Sequence, residues 1–526
     1  MRQREAATEQ WQRLSSRVVW VDVLVSVLSL LPGAAAIWVF DADPSLNALW
    51  PLAFVAVAGL TGAAGDILRW AFTTYRVTAT DIEQRSGVFV RRRRTLHRDR
   101  VRSVDIATKL RHRIAGLRIV TVGAGQQAGA GEAALVLDAL SAADAAALQD
   151  ELLNTSVASA AATTTAGAQD IAENRGEEQS GESAAEVLAT FKPGWAVYNM
   201  FSIWSYVMAA GLLWGGFWLL SSLGIDVVGT VAGLADWDSV GWAGITFLLL
   251  AGTGLLGALG LGVNFLLSYG RFELARVRTG DRSHLRTRRG LLSTREVLRD
   301  EHRMRGLSIS EPVLWRWMRM ADTNVITTGL NVWDPQEPTA ILPRGPLTES
   351  RRVAGKIFER QNPFDAPLTK HPRTALRRRL WWATAASAAA PAALLLPALT
   401  GVIPGWMPWA AAAAWPPALL AAVVAYRALG HTVAGEYLVM RSGLLSRTTS
   451  ALRRDAVSTI AVRQSLLQRR LGLATVSAMT AAGWSAYEIP DVPADHAVGL
   501  ASDAAPGVLS DFIKQESRLP STIMAK

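Results

Sequence analysis

Three stretches of this sequence carry residue types that could do chemistry. Gly123-Ala124-Gly125-Gln126-Gln127-Ala128-Gly129 has glycine spacing like that of a dinucleotide-cradling loop. That chemistry needs a strand before the loop and a helix after it, so that backbone N–H groups face a pyrophosphate. Here the loop runs into Ala133-Ala134-Leu135-Val136-Leu137, a strand pattern with no βαβ unit around it, so a flexible turn is the reading. Asp236-Trp237-Asp238 pairs two carboxylates, but a solvated loop facing outside is the better reading than a metal site. The third stretch is Arg91-Arg92-Arg93-Arg94, followed by Arg98, Arg100 and Arg102. Alternate residues of a strand face opposite sides, so this run cannot point one way.

Other catalytic constellations are missing. The seven histidines (97, 112, 284, 302, 371, 431, 496) show no ligand spacing. No P-loop lysine, nucleophile elbow or zincin motif occurs. The chain has no cysteine, which excludes disulfides, thiol catalysis and thiolate metal sites. The expectation is a non-enzymatic protein with no cofactor and no metal.

The elements that must position the arginines come from a repeat. Arg85-Ser86-Gly87-Val88-Phe89 returns as Arg288-Arg289-Gly290-Leu291-Leu292 and as Arg441-Ser442-Gly443-Leu444-Leu445. Sliding the chain by the step from Arg85 to Arg288, or to Arg441, keeps the match gapless for about thirty positions. Ile82, Leu285 and Leu438 share a column, as do Arg113, Arg316 and Arg469, and Leu117, Met320 and Leu473.

Half of the 526 residues are apolar, mean hydropathy is positive, and there are 20 tryptophans, a membrane-protein profile. Apolar runs occur in pairs: Val18–Phe40 with 49–68, Phe201–Ser222 with Gly241–Ser268, and Trp381–Val402 with Trp406–Tyr426. Each is long enough to cross a bilayer, which takes about 20 residues. A signal peptide cut near Pro32-Gly33-Ala34-Ala35-Ala36 competes with the first span. Gly211/Gly215 and Gly254/Ala258/Gly262 are placed to pack helices together. The loops inside the pairs hold Asp41, Asp43, Asp226, Asp236 and Asp238 but no Lys or Arg, whereas Arg17, Arg69, Lys192, Arg271, Arg377 to Arg379 and Arg427 flank the other side. The positive-inside rule places both termini and all repeated cassettes in the cytoplasm.

Each cassette reads as antiparallel strands closed by a C-terminal helix, a small half-open β-barrel with a helical plug. The helices fall at 141–153, Ser350–Arg360 and Ala494–Asp503. The Arg-x-Gly hairpins and the downstream Val104-Asp105-Ile106, Leu110, Arg113 and Gly116-Leu117 make the chain similar to the membrane-flanked bacterial pleckstrin-homology-like (PH-like) proteins of the YdbS/YdbT type. The third copy, from Ile460 to Leu473, matches best; in the second, Arg319 stands where the others have glycine. Three copies on six helices resemble the larger, YdbT-type member. The resemblance implies PH-like folds and a non-enzymatic role at the bacterial inner membrane, with a smaller related membrane protein as a partner.

The expected organisation is an α-helical membrane protein with α+β domains. It has a cytoplasmic N-terminus (1–17), transmembrane hairpins (18–70, 191–269, 377–430) and PH-like β-barrels with C-terminal helices (71–153, 270–360, 431–505). A flexible linker (154–190), a shorter one (361–376) and a tail (506–526) complete it. Arg85, Gly87, Arg113, Arg288, Gly290, Arg316, Arg441, Gly443 and Arg469 form the structural signature of the repeat. Arg91, Arg92, Arg93, Arg94 and Arg98 are the candidate contacts for anionic lipid headgroups or an acidic partner, with a merely solvated basic face as the alternative. Nucleic acid is not expected, because the run lacks stacking aromatics. A homo- or hetero-oligomeric scaffold follows, with a transporter, channel or envelope sensor as the competing classes.

Overall fold

The computed structural model describes residues 11–28, 46–78, 80–87, 90–98, 101, 103–123, 135–148, 185–222, 224–234, 237–279, 282–328, 339–359 and 361–509. Most of the first span, the glycine-rich loop after Gly123, most of the 154–190 linker and the tail lie outside these residues. So do Val88, Phe89, Arg100, Arg102 and Asp236.

The first cassette supplies β1 (Gln12–Arg13), β2 (Thr74–Val77), β3 (Asp81–Ser86), β4 (Arg92–His97), β5 (Ser103–Thr108), β6 (Leu117–Gly123) and β7 (Leu135–Ser141). The second supplies β8 (Glu186–Thr190), β9 (Glu273–Thr279), β10 (Arg282–Arg289), β11 (Thr294–Asp300), β12 (Met304–Pro312), β13 (Met320–Thr327) and β14 (Ala340–Pro346). The third supplies β15 (Gly430–Ala434), β16 (Tyr437–Ser442), β17 (Ser446–Arg453), β18 (Thr459–Arg463), β19 (Leu473–Met479) and β20 (Ala486–Pro493). The chain divides into two compact units, Met1–Arg303 and Met304–Lys526, and the division falls inside the second cassette, between β11 and β12.

The repeat columns reappear as strand registers. Asp81 faces His97, His284 faces Asp300 and Tyr437 faces Arg453, one column pair in all three copies. Ile106–Val120, Ile309–Thr323 and Val462–Val476 form a second such set.

A closed barrel does not form. Among the described residues the strands make open sheets ordered β1-β2-β3-β4, β7-β6-β5-β11-β10-β9-β8, β14-β13-β12-β17-β16-β15 and β18-β19-β20. Each cassette splits between its third and fourth main strands, because an edge that would close the barrel is hydrogen-bonded to a neighbouring cassette: β5 to β11, and β12 to β17. In the first unit the two halves of cassette one pack face to face. Tyr75, Val77 and Ile82 meet Val104, Ile106, Val120, Val122 and Leu137, with Leu148 from the helical stretch 142–148. Gln84 Nε2 donates to the Val136 carbonyl at 2.8 Å, tying one sheet to the other. In the second unit, Leu438, Met440 and Leu452 pack on Val476, Ile489 and Val492, and Ala497, Ala501 and Ala504 let the helix Ala494–Ala504 lie close. Each fully buried aliphatic side chain contributes about 1.5–3 kcal/mol.

The segment before each helical pair is not merely a linker. Gln12 and Arg13 pair with Tyr75 and Thr74, β8 pairs with β9, and Thr369 bridges His431. The stretch 186–190, expected to be flexible, is therefore a strand. Leu14 enters the core, and Trp70 Nε1 donates to its carbonyl at 2.8 Å.

Three helices among the described residues are long and apolar enough to cross a membrane: Ser239–Tyr269, Arg373–Leu399 and Met407–Arg427. The reading of six spans goes beyond this. The helix Arg17–Leu28 is described for only part of the first apolar run, and Trp204–Ser222 and Leu46–Phe72 are not among the three. Pro391 and Pro397 lie inside the unbroken helix Arg373–Leu399, whereas Pro416 and Pro417 open a fresh helix at Trp415. Small residues do pack the second helical pair, but not all the expected ones. Gly254 lies 3.3 Å from Tyr206 Oη and Gly262 3.1 Å from Met200, measured from an ideal Cβ, while Gly211 and Gly215 meet nothing. The tightest approach is Gly257, where a Cβ would overlap the Ser205 carbonyl.

Candidate functional site

The signature glycines are conformational. Gly87, Gly290 and Gly443 have φ of 117°, 106° and 117°, and a Cβ on each would overlap the carbonyl oxygen three residues on. No L-side chain fits there. The signature arginines have separate tasks. Arg85 stacks over Trp11 at 3.9 Å, with Arg76 at 4.9 Å from the same ring. Arg288 lies opposite Glu273 and Glu296, and Arg441 Nε donates to the Ala428 carbonyl at 3.1 Å. Arg113 Nη1 donates to the Leu291 carbonyl at 2.9 Å, so cassette one grips the signature hairpin of cassette two. Arg469 is exposed.

That grip belongs to a joint made twice. In the first unit β5 pairs antiparallel with β11, Thr108 facing Thr294; in the second β12 pairs with β17, Glu311 facing Arg447. Thr294 and Arg447 share a repeat column, as do Thr108 and Glu311, so both joints have one register. Each is pinned by an arginine from the incoming strand. Arg295 Nε donates to Asp105 Oδ2 at 2.8 Å, and Arg447 donates to Glu311 at 3.2 and 2.5 Å. Burial pushes the Asp105 carboxyl up, against the opposing pull of Arg295. Arg303 Nη1 adds a bond to the Val101 carbonyl at 2.9 Å, and Val313 N–H one to the Leu445 carbonyl at 2.8 Å.

Beside the second joint is a cavity of about 410 Å³, with Arg351, Lys370 and Arg441 among its walls together with Glu311 and Asp365. Burial pushes the Arg441 guanidinium down, and Arg447 adds to the shift. Arg316 is pushed down by burial and by Arg447, and its Nε and one Nη are buried with no partner among the described residues. Such crowding of cations suits an anion more than a neutral ligand.

The arginine run separates by strand alternation. Arg93 pairs with Glu83 at 2.7 Å, alongside Arg76 at 2.6 Å. The Arg76 hydrogen bond holds the Glu83 carboxyl below its usual range, with Arg93 contributing. Arg94 is half-buried on the core side, and Arg91 and Arg92 are exposed. Arg98 does not join them: it is buried and donates to the Thr78 carbonyl at 3.0 Å. Of the five candidate contacts, Arg91 and Arg92 are thus the open pair. They lie at and just before the start of β4, whose outer edge takes no strand among the described residues.

Two further carboxylates, Asp138 and Asp491, escaped sequence reading. Asp138 receives Arg69, at the end of the helix Leu46–Phe72, at 2.6 Å, and stands 3.2 Å from His112 Nε2. Asp491 receives Arg378 at 2.8 Å and Arg379 at 3.2 Å from the helix Arg373–Leu399, and Gln468 at 3.0 Å. Both latch an apolar helix to its cassette. His112 and Gln468 share a repeat column; the signal was there, but the carboxylates sit one residue apart around the same bulge and so never aligned. Among the described residues no cluster could hold a metal.

Two regions, residues 25–156 and 385–504, match the family model described as Bacterial PH domain. Both matches begin within an apolar run and end beyond or within the helix that closes the cassette, so helix and cassette recur together. No curated protein and no solved structure matches the chain.

Proposed function

We propose that this chain is a non-enzymatic scaffold of the bacterial inner membrane. It carries three PH-like cassettes on six helices, in the YdbT-type arrangement, with both termini cytoplasmic. One observation carries the reading: consecutive cassettes are joined edge to edge, twice, by the same strands in one register. Independent ligand readers would be tethered by loose linkers; a shared sheet instead fixes their spacing. The latches at Asp138 and Asp491 support this, since they hold cassettes to helices. The cation-lined cavity at Arg351, Lys370 and Arg441 favours contact with anionic headgroups at the inner leaflet. A homo- or hetero-oligomer with a smaller related membrane protein completes the proposal.

The test uses the absence of cysteine from the sequence. Thr108→Cys with Thr294→Cys, cross-strand partners in the first joint, should oxidise to a disulfide in native membranes. Single cysteines at Thr230 and Ser293 should label from opposite faces. No disulfide, labelling from one face, or solute flux through the purified chain in proteoliposomes would each overturn the scaffold reading.

A further inference from the structure

Among the described residues, β4 is the one strand of its kind whose outer edge takes no partner. Its counterparts β11 and β17 are each covered by a strand from the preceding cassette, and their middle residues are buried. In β4 most residues are exposed. An open edge presents unpaired N–H and C=O groups and templates strand addition. Arginine on an edge can serve simply to repel other strands, but here the positions say more. Arg91 occupies the column of Arg447, which binds Glu311; Arg92 occupies that of Arg295, which binds Asp105. The two internal joints use one arginine each, and the entry to β4 has both.

We infer that β4 receives an antiparallel strand from a separate acidic polypeptide, in the register of the internal joints, with carboxylates where Asp105 and Glu311 stand. These positions are three residues apart, so they fall on opposite faces of the strand, as Arg91 and Arg92 do. The inference rests on the scaffold reading and names its partner's chemistry. A second copy of the chain fits poorly. Its open strand β18 would set Arg463 opposite Arg92, with Gln464 and Ala461 at the two carboxylate positions. A headgroup would meet the guanidinium groups but leave the main-chain edge unpaired.

The probe is a synthetic peptide of residues 101–110 carrying R102Q, T108E and K109Q, so that its side chains are net acidic, added to the full chain in nanodiscs and read by a fluorophore on Thr95→Cys. Saturable binding is expected, and R91Q and R92Q should each weaken it about tenfold, the loss of one charge-assisted pair. Arg93→Gln removes the same charge from a residue already bound to Glu83 and should leave affinity within about twofold. The same peptide N-methylated at alternate residues keeps its charge and should not bind. Equal losses for R92Q and R93Q, or binding of the methylated peptide, would reduce the effect to bulk electrostatics and overturn the inference. It is also overturned if anionic nanodisc lipid abolishes peptide binding relative to neutral lipid, or if the chain alone forms oligomers that R91Q and R92Q dissolve. The Thr108–Thr294 disulfide separates the two failures: if it forms and the peptide does not bind, the scaffold stands and only the partner falls.

Discussion

The first and third cassettes solve one mechanical problem, fastening an apolar helix to packed β-sheets, with different degrees of burial. Asp138 is 15% exposed in its side chain and its arginine, Arg69, is 53% exposed. Asp491 is fully buried and takes two arginines that are each 22% exposed. The helix also differs: Arg69 lies at the exit of its helical pair, Arg378 and Arg379 at the entry. In the third cassette Gln468 both closes a capping box with Ser465 and donates to Asp491 and Thr475, whereas the first has the uncapped Lys109 and the buried His112. A solvated latch can slip and re-form. A desolvated one must hold, since breaking it strands buried charge. The third cassette is then the firm anchor and the first the yielding one.

That contrast can be broken by experiment. Asp491→Ala should cost the second unit about 3–5 kcal/mol, read by denaturant unfolding in detergent, because Arg378 and Arg379 lose their carboxylate partner. Acid comes next. Burial, then His371, pushes His431 down to about 4, and burial also lowers His371. The unfolded chain takes up protons first, so stability falls as pH drops from about 6.5 towards 4, by about 3 kcal/mol, and H431Q should flatten that slope. Asp138→Ala should cost only about 1–2 kcal/mol, since its main partner is half solvated. Burial alone would raise the Asp138 carboxyl, but His112, Arg69 and Lys109 together hold it below the usual range. Equal losses at Asp138 and Asp491 would remove the distinction. The smallest effect concerns the cassette between them. Arg319 has φ 53° where Gly116 and Gly472 have 67° and 64°, so Arg319→Gly should stabilise by about 1 kcal/mol in the same unfolding assay.

The fold was legible where local chemistry determines it. The gapless repeat columns became strand registers, the signature glycines sit where only glycine fits, and Arg319, the odd member of its column, has the left-handed backbone of the glycines it replaces. The joints were not legible. β5 and β12 alternate like any half-buried strand, and nothing in Ser103–Thr108 says that its neighbour lies in the next cassette rather than in β4. For the same reason a barrel was expected where open sheets formed. β8 was hidden because Glu186–Thr190 is too short to stand out from the polar stretch before it. Arg98 was grouped with the exposed run by proximity along the chain, although it turns inward to Thr78.

The joints also impose a schedule on synthesis. Asp105 and its partner Arg295 are 190 residues apart, and Glu311 and Arg447 are 136 apart. At about 5–20 residues per second, the edge of β5 waits roughly 10–40 s for its neighbour to be translated, with a helical pair to be placed in between. Each new cassette therefore seals the one before it, and the chain finishes its sheets one step behind the ribosome.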